Sequence, residues 1–221
     1  MKNKGLILVV TYLFFYFVLP LIASASGLSL EGIPWVTLTS MAIICLVAWY
    51  LYGNFLKNQW QHLLAQTGWK RFLGNIVVYI FVVNIVRVIL LNIFEPFIDI
   101  DSLGANQQAI QDLVENVPSY FTFFMLVIFA PLVEELIFRE IIIGPSVHKN
   151  KSFKWFMTII SIVLFTGAHM KVPSDAILYL PLTLGITYFY WKYQANVVAS
   201  MSFHFINNLI SWIVLTFFAQ L

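Results

Sequence analysis

The sequence predicts an all-α protein, a polytopic membrane bundle of about seven transmembrane helices with a polar cavity inside it. Three observations lead there. Of the 221 residues, 61% are apolar and only 10% are charged, whereas a soluble domain carries roughly 25% charge. The apolar residues recur in runs long enough to approach or cross a hydrocarbon core of ~30 Å. The acids and bases inside those runs concentrate in one stretch, Ala130 to Glu140 (APLVEELIFRE). At this length a single integral membrane domain over residues 1–221 is expected.

The first run extends from Gly5 to about Ala23 behind the basic start Met1-Lys-Asn-Lys4. It exceeds the ~7–15 residues of a signal-peptide core, which favours an uncleaved first span over cleavage near Ala23-Ser24-Ala25. A turn containing Glu31 leads to a second span, Trp35 to about Tyr52, with aromatic residues at its ends. Lys57 to Arg71, with Trp60, His62 and Trp69, reads as an interfacial amphipathic stretch. The third span, Phe72 to about Leu91, carries Arg87, expected to reach the interface or pair within the bundle.

Glu95 to Pro118 is polar and acidic, with Asp99, Asp101, Asp112 and Glu115 and a short helix expected over Ala105 to Glu115. The fourth span is Tyr120 to Ile143, in which Pro131 should kink or loosen the helix. Phe156 to about Met170, Ala176 to Tyr190 and Asn196 to about Phe218 complete the set. If the spans alternate, Lys2, Lys4, Lys57, Lys70, Arg71, Lys149, Lys151, Lys154 and Lys192 share one side and only Lys171 lies on the other. That asymmetry places the N-terminus in the cytoplasm and the C-terminus outside.

An ionisable side chain at mid-membrane costs at least ~2.5–3.5 kcal/mol and is normally turned inward and paired. Glu135 and Arg139 are four residues apart and share a helix face, so they can neutralise each other. Glu134 points about 100° away and is left without that partner. Glu140, near the end of its span, is expected to reach the headgroups. Phe165 shares a face with His169, and His204 shares one with Asn208. The spans can therefore gather Glu134, His169, His204 and Asn208 around one pocket.

Such a pocket suits hydrolysis, with a glutamate taking a proton from water and imidazole or amide groups holding the developing oxyanion. The same residues allow a second arrangement, in which Glu134, His169 and His204 hold a divalent metal such as zinc. Interhelical hydrogen bonding and a proton-coupled carrier would use the same residue types. The chemistry alone leaves these alternatives open. The sequence has one cysteine, Cys45, and no phosphate loop, HExxH motif or nucleic-acid-binding patch. The expected partner at this point is the lipid bilayer.

Glu134-Glu135-x-x-x-Arg139, Phe165-x-x-x-His169 and His204-x-x-x-Asn208, in this order on three spans, resemble the signature motifs of the CPBP family. That family comprises the type II CAAX prenyl endopeptidases and bacterial relatives, including Abi and bacteriocin-immunity proteins. The resemblance covers about residues 119–221. It implies an intramembrane endopeptidase of a bacterial plasma membrane, serving peptide processing or bacteriocin self-immunity. It further implies Glu134 as the water-activating base, Glu135, Arg139 and Phe165 in support, and His169, His204 and Asn208 around water or oxyanion. A non-enzymatic immunity protein is the alternative. One conflict stands out: counted at ~1.5 Å per residue, Glu134 and His204 lie ~13 Å from the cytoplasmic face and His169 nearer ~20 Å.

Overall fold

A computed structural model describes residues 2–27, 32–97 and 105–218. The expected turn residue Glu31 and the loop residues Asp99, Asp101 and Gly104 lie outside the described residues. Eight helices and no strand occur among those described: α1 (residues 2–25), α2 (Ile33–Thr67), α3 (Trp69–Phe94), α4 (Ala105–Asn116), α5 (Ser119–Ser146), α6 (Lys151–Ala168), α7 (Ala176–Lys192) and α8 (Val197–Phe217).

Five of them, Asn3–Ala25, α2, α3, α5 and α8, are long and apolar enough to cross a bilayer. The other two expected spans form α6 and α7, of 18 and 17 residues. At ~1.5 Å per residue these reach ~27 and ~26 Å, short of a ~30 Å core. The stretch from Lys57 onward is not a separate interfacial segment. It continues α2, a single helix of 35 residues, as far as Gly68. There the chain adopts φ 73°, a left-handed conformation natural to glycine, and α3 begins at once. No proline or glycine falls within Asn54–Thr67 to end the helix earlier.

Proline position explains the irregular turns. Three π-helical stretches, Leu13–Val18, Phe123–Phe129 and Leu136–Ile143, each end two residues before a proline: Pro20, Pro131 and Pro145. A proline has no N–H to donate, and its ring presses on the carbonyl four residues back. Widening the preceding turns to i→i+5 bonding relieves that pressure and keeps the helix continuous. The loosening expected at Pro131 takes this form.

Close packing then assembles α3, α5, α6, α7 and α8. Ser161 Oγ donates to the Phe138 carbonyl at 2.6 Å, fastening α6 to the widened half of α5. Thr166 Oγ1 meets Thr183 Oγ1 at 3.1 Å between α6 and α7. Asn196 caps α8 by accepting from Ala199 N at 3.0 Å, while its amide donates to the Gln59 carbonyl at 2.9 Å. Gly185 lets α7 approach its neighbours, since a Cβ there would lie 2.8 Å from Val83 Cγ2 and 3.3 Å from the Phe203 ring. Val83 is stiff at χ1. Gly185→Ala should therefore destabilise the bundle by about 1–3 kcal/mol. A lowered thermal unfolding midpoint in detergent would register this, and an unchanged midpoint would contradict the close approach.

Candidate active site

Five elements build the site. The α-helical turn Ala130–Glu135 lies between the two widened stretches of α5 and carries both glutamates. Glu135 is fully buried and pairs with the fully buried Arg139, Oε2 to Nε at 3.3 Å. The expected ion pair is present. Arg139 also donates from Nη2 to Thr187 Oγ1 at 3.4 Å on α7. Its guanidinium lies 4.3 Å from the centre of the Phe165 ring, a cation–π contact.

Glu134 points away from that pair. Its Oε2 is buried without a hydrogen-bond partner among the described residues and lies 3.7 Å from His169 Nε2 and 3.9 Å from His204 Nε2. These separations exceed hydrogen-bond length. The side chain as a whole is 14% exposed.

The partners of the other ring nitrogens fix the hydrogens. His169 Nδ1 contacts the Phe165 carbonyl at 2.8 Å. A carbonyl only accepts, so Nδ1 carries the hydrogen. His204 Nδ1 lies 3.0 Å from Glu135 Oε1, and an ionised carboxylate likewise only accepts. Each neutral imidazole therefore presents an Nε2 lone pair towards Glu134. With all three groups deprotonated, a carboxylate and two lone pairs would face one another. One shared proton turns that repulsion into an ion pair.

Phe165 organises the ring edges. It stacks on His169 with centroids 4.5 Å apart and meets His204 edge-on at 5.6 Å. His169 is the first residue past α6, where a turn returns the chain to α7. Asp175 closes that turn, its Oδ2 accepting from Lys171 N at 2.9 Å and Val172 N at 3.2 Å. The shortness of α6 and α7 resolves the depth conflict: the α6–α7 turn lies beside Glu134, so His169 is at the level of the site.

Asn208 has a different placement. Its Nδ2 donates to the Leu126 carbonyl at 3.0 Å, and its Oδ1 accepts from Asn207 at 3.2 Å. It ties α8 to the first widened stretch of α5 and makes no hydrogen bond to Glu134 or either histidine. Glu140 is buried within the protein, 9% exposed. The widened turn Leu136–Ile143 directs its carboxylate back over Gly144, where a Cβ would sit 3.4 Å from Cδ.

Several site residues were not legible as such in the sequence. Tyr12 and Tyr16 of α1 stack at 5.1 Å and lie within electrostatic reach of Glu134. Their i,i+4 spacing on a mainly apolar helix was the available signal. Tyr179 packs against His169 with centroids 5.3 Å apart. As for a metal, the described residues contain no cluster of three or more His, Cys, Asp or Glu arranged to hold one. Glu134, His169 and His204 are adjacent, with their facing atoms 3.7 and 3.9 Å apart, and no step below is routed through a metal.

A family model described as type II CAAX prenyl endopeptidase Rce1-like matches residues 116–210, which contain all three motifs. The UPF0177 protein YxdF of Lactococcus lactis subsp. lactis (strain IL1403) is 31% identical over 172 residues, 76% of this chain and 88% of that protein. The UPF0177 protein YbdI of the same strain is 30% identical over 123 residues, 55% of this chain and 63% of that protein. For a third, YajF, the match covers 60% of its length, so the chain spans about three fifths of YbdI and YajF. No solved structure matches the chain significantly. The chain belongs to the UPF0177 proteins of the CPBP family, the group of the type II CAAX prenyl endopeptidases.

Proposed function

We propose that the protein is an intramembrane endopeptidase in which Glu134 activates water for attack on a peptide carbonyl. The observation that carries this reading is the buried, unpaired Glu134 carboxylate flanked by two imidazole Nε2 atoms whose Nδ1 atoms are already engaged. In the first step Glu134 takes a proton from water and the hydroxide adds to the carbonyl carbon. The oxyanion then accepts from His204 Nε2–H when that ring is protonated, with Glu135 accepting from Nδ1–H. Asn208 joins as a second donor by exchanging the Leu126 carbonyl for the substrate. As the C–N bond breaks, the proton held by Glu134 passes to the leaving amine, with His169 as relay.

The substrate class is a peptide or membrane protein reached from within the bilayer or from the cytoplasmic face. The setting is a bacterial plasma membrane, N-terminus inside and C-terminus outside, a reading supported by the lysine and arginine asymmetry and by relatives from a bacterium. The biological role is peptide processing or bacteriocin self-immunity. The test compares cells expressing wild type and Glu134→Gln at matched levels, by mass spectrometry of peptide termini in membrane and secreted fractions. Termini that vanish in the variant establish proteolysis and supply candidate substrates. Identical termini with an intact immunity phenotype would replace this reading with a non-enzymatic one, and identical termini with a lost phenotype with proton-coupled transport.

A further inference from the structure

Two cations at one end of the bundle face a cavity and meet no acid. The cavity, of about 400 Å³, opens where the α2–α3 turn and the α7–α8 turn come together. Its lining includes Gln66 from α2, Arg71 and Asn75 from α3, and Lys192, Tyr193 and Gln194 at the end of α7. No aspartate or glutamate occurs between Glu31 and Glu95 or after Asp175, so α2, α3, α7 and α8 carry none. Arg71 and Lys192 therefore have no counter-charge on any helix that builds the cavity. Lys192 Nζ is held over aromatic rings instead, 4.5 Å from the centre of Tyr79 and 5.5 Å from that of Tyr188.

The polar groups beside these cations have donors to spare among the described residues. Asn75 Nδ2 donates to the Tyr193 hydroxyl oxygen at 2.8 Å, which leaves the hydroxyl hydrogen for another acceptor. Arg71 lies within electrostatic reach of that hydroxyl. Gln66 Nε2 donates to Gln194 Oε1 at 3.2 Å, which leaves the Gln194 amide hydrogens unused. Gln194 and Ala195 adopt φ 60° and 59°, a left-handed pair without glycine that persists only where its surroundings impose it. This pair turns the chain from α7 towards α8 and keeps Gln194 at the cavity.

The cavity lies where the apolar surface begins. Trp69 and Tyr188 beside it are exposed, and beyond Arg71 the exposed side chains of α3 turn apolar with Leu73, Val77 and Val78. Exposed tryptophan and tyrosine mark the headgroup level of a membrane protein. The same end carries Lys70, on the side that the lysine and arginine asymmetry marks as cytoplasmic, where the leaflet is anionic.

We propose that this cavity binds the headgroup of an anionic phospholipid. Arg71 and Lys192 hold its phosphodiester, and Tyr193 and Gln194 hydrogen-bond a polyol such as the glycerol of phosphatidylglycerol. The acyl chains run along the exposed apolar face of α3. A choline headgroup brings its own ammonium, which two cations without an acid repel. The inference is independent of the endopeptidase reading.

The test compares headgroups on the whole protein. Purified wild type is melted in detergent micelles at fixed ionic strength, followed by tryptophan fluorescence, with dioleoyl phosphatidylglycerol or dioleoyl phosphatidylcholine added. At about thirty times its dissociation constant, phosphatidylglycerol should raise the midpoint by about 4–8 °C, and phosphatidylcholine at the same concentration by no more than about 2 °C. Arg71→Gln and Lys192→Gln should each remove most of that difference. Both side chains are exposed, so neither substitution disturbs the core. Replacing Lys149 and Lys151, two lysines outside the cavity, by glutamine should leave the difference in place. Equal shifts for the two lipids in wild type would overturn the proposal. So would a difference that survives in both cavity variants, or one that falls as far in the Lys149 and Lys151 variant, the mark of diffuse attraction to an anionic surface. Inorganic phosphate that reproduces the phosphatidylglycerol shift through Arg71 and Lys192 would make the ligand a soluble anion and overturn the lipid assignment.

Discussion

Replacing Glu134 by glutamine should lower the rate of peptide hydrolysis by a factor of about 10²–10⁴, the range expected for loss of a positioned general base. The substitution preserves size and removes only the ability to take a proton. Folding should not suffer, because Glu134 gives no hydrogen bond to the scaffold among the described residues and its Oε2 is buried without a partner. Removing a desolvated charge there should leave the thermal midpoint in detergent unchanged or raise it, the usual exchange of stability against activity at a site. The two readouts belong together. Lost activity with an intact or raised midpoint supports a catalytic Glu134, while a collapsed midpoint would reassign it to the scaffold.

Arg139→Ala should have the opposite signature. The guanidinium is fully buried and links Glu135 at 3.3 Å, Thr187 at 3.4 Å and the Phe165 ring at 4.3 Å. Its removal leaves Glu135 as a buried charge whose remaining partners are the neutral groups His204 and Ser200. Breaking a buried pair from one side costs about 3–5 kcal/mol, much of it from the stranded charge. A large drop in the unfolding midpoint should follow, and a second substitution, Glu135→Gln, should recover part of it. Activity should stay low in the rescued double variant, because glutamine at position 135 no longer provides a carboxylate to hold the His204 Nδ1 hydrogen. Arg139→Ala protein with a wild-type midpoint would show that the ion pair contributes little.

Much of this site was legible because intramembrane charge is rare enough to be conspicuous. Glu135 and Arg139 announced themselves by four-residue spacing, and that spacing also turned Glu134 away from the pair. Phe165 with His169 and His204 with Asn208 were legible for the same reason, as helical periodicity fixes which side chains share a face. The helical class and the membrane setting followed from composition. Helix length was less accessible. Apolar runs do not show where a chain turns back, so α6 and α7 read as full spans although the turn closed by Asp175 makes them short.

The sequence by itself determined that this is a helical membrane protein with an acid, two histidines and an asparagine drawn inward by the cost of leaving them in lipid. Only the tertiary structure decided how they meet. The α6–α7 turn brings His169 to the level of Glu134, and the ring nitrogens left free by Phe165 and Glu135 are the ones that face it. It also decided that Asn208 holds Leu126, that Glu140 is buried in the protein, and that Arg87 lines a cavity between α3 and α8. The physical reason is range: helical periodicity fixes neighbours three or four residues apart, whereas contacts between helices depend on turn geometry and on the widened turns before prolines.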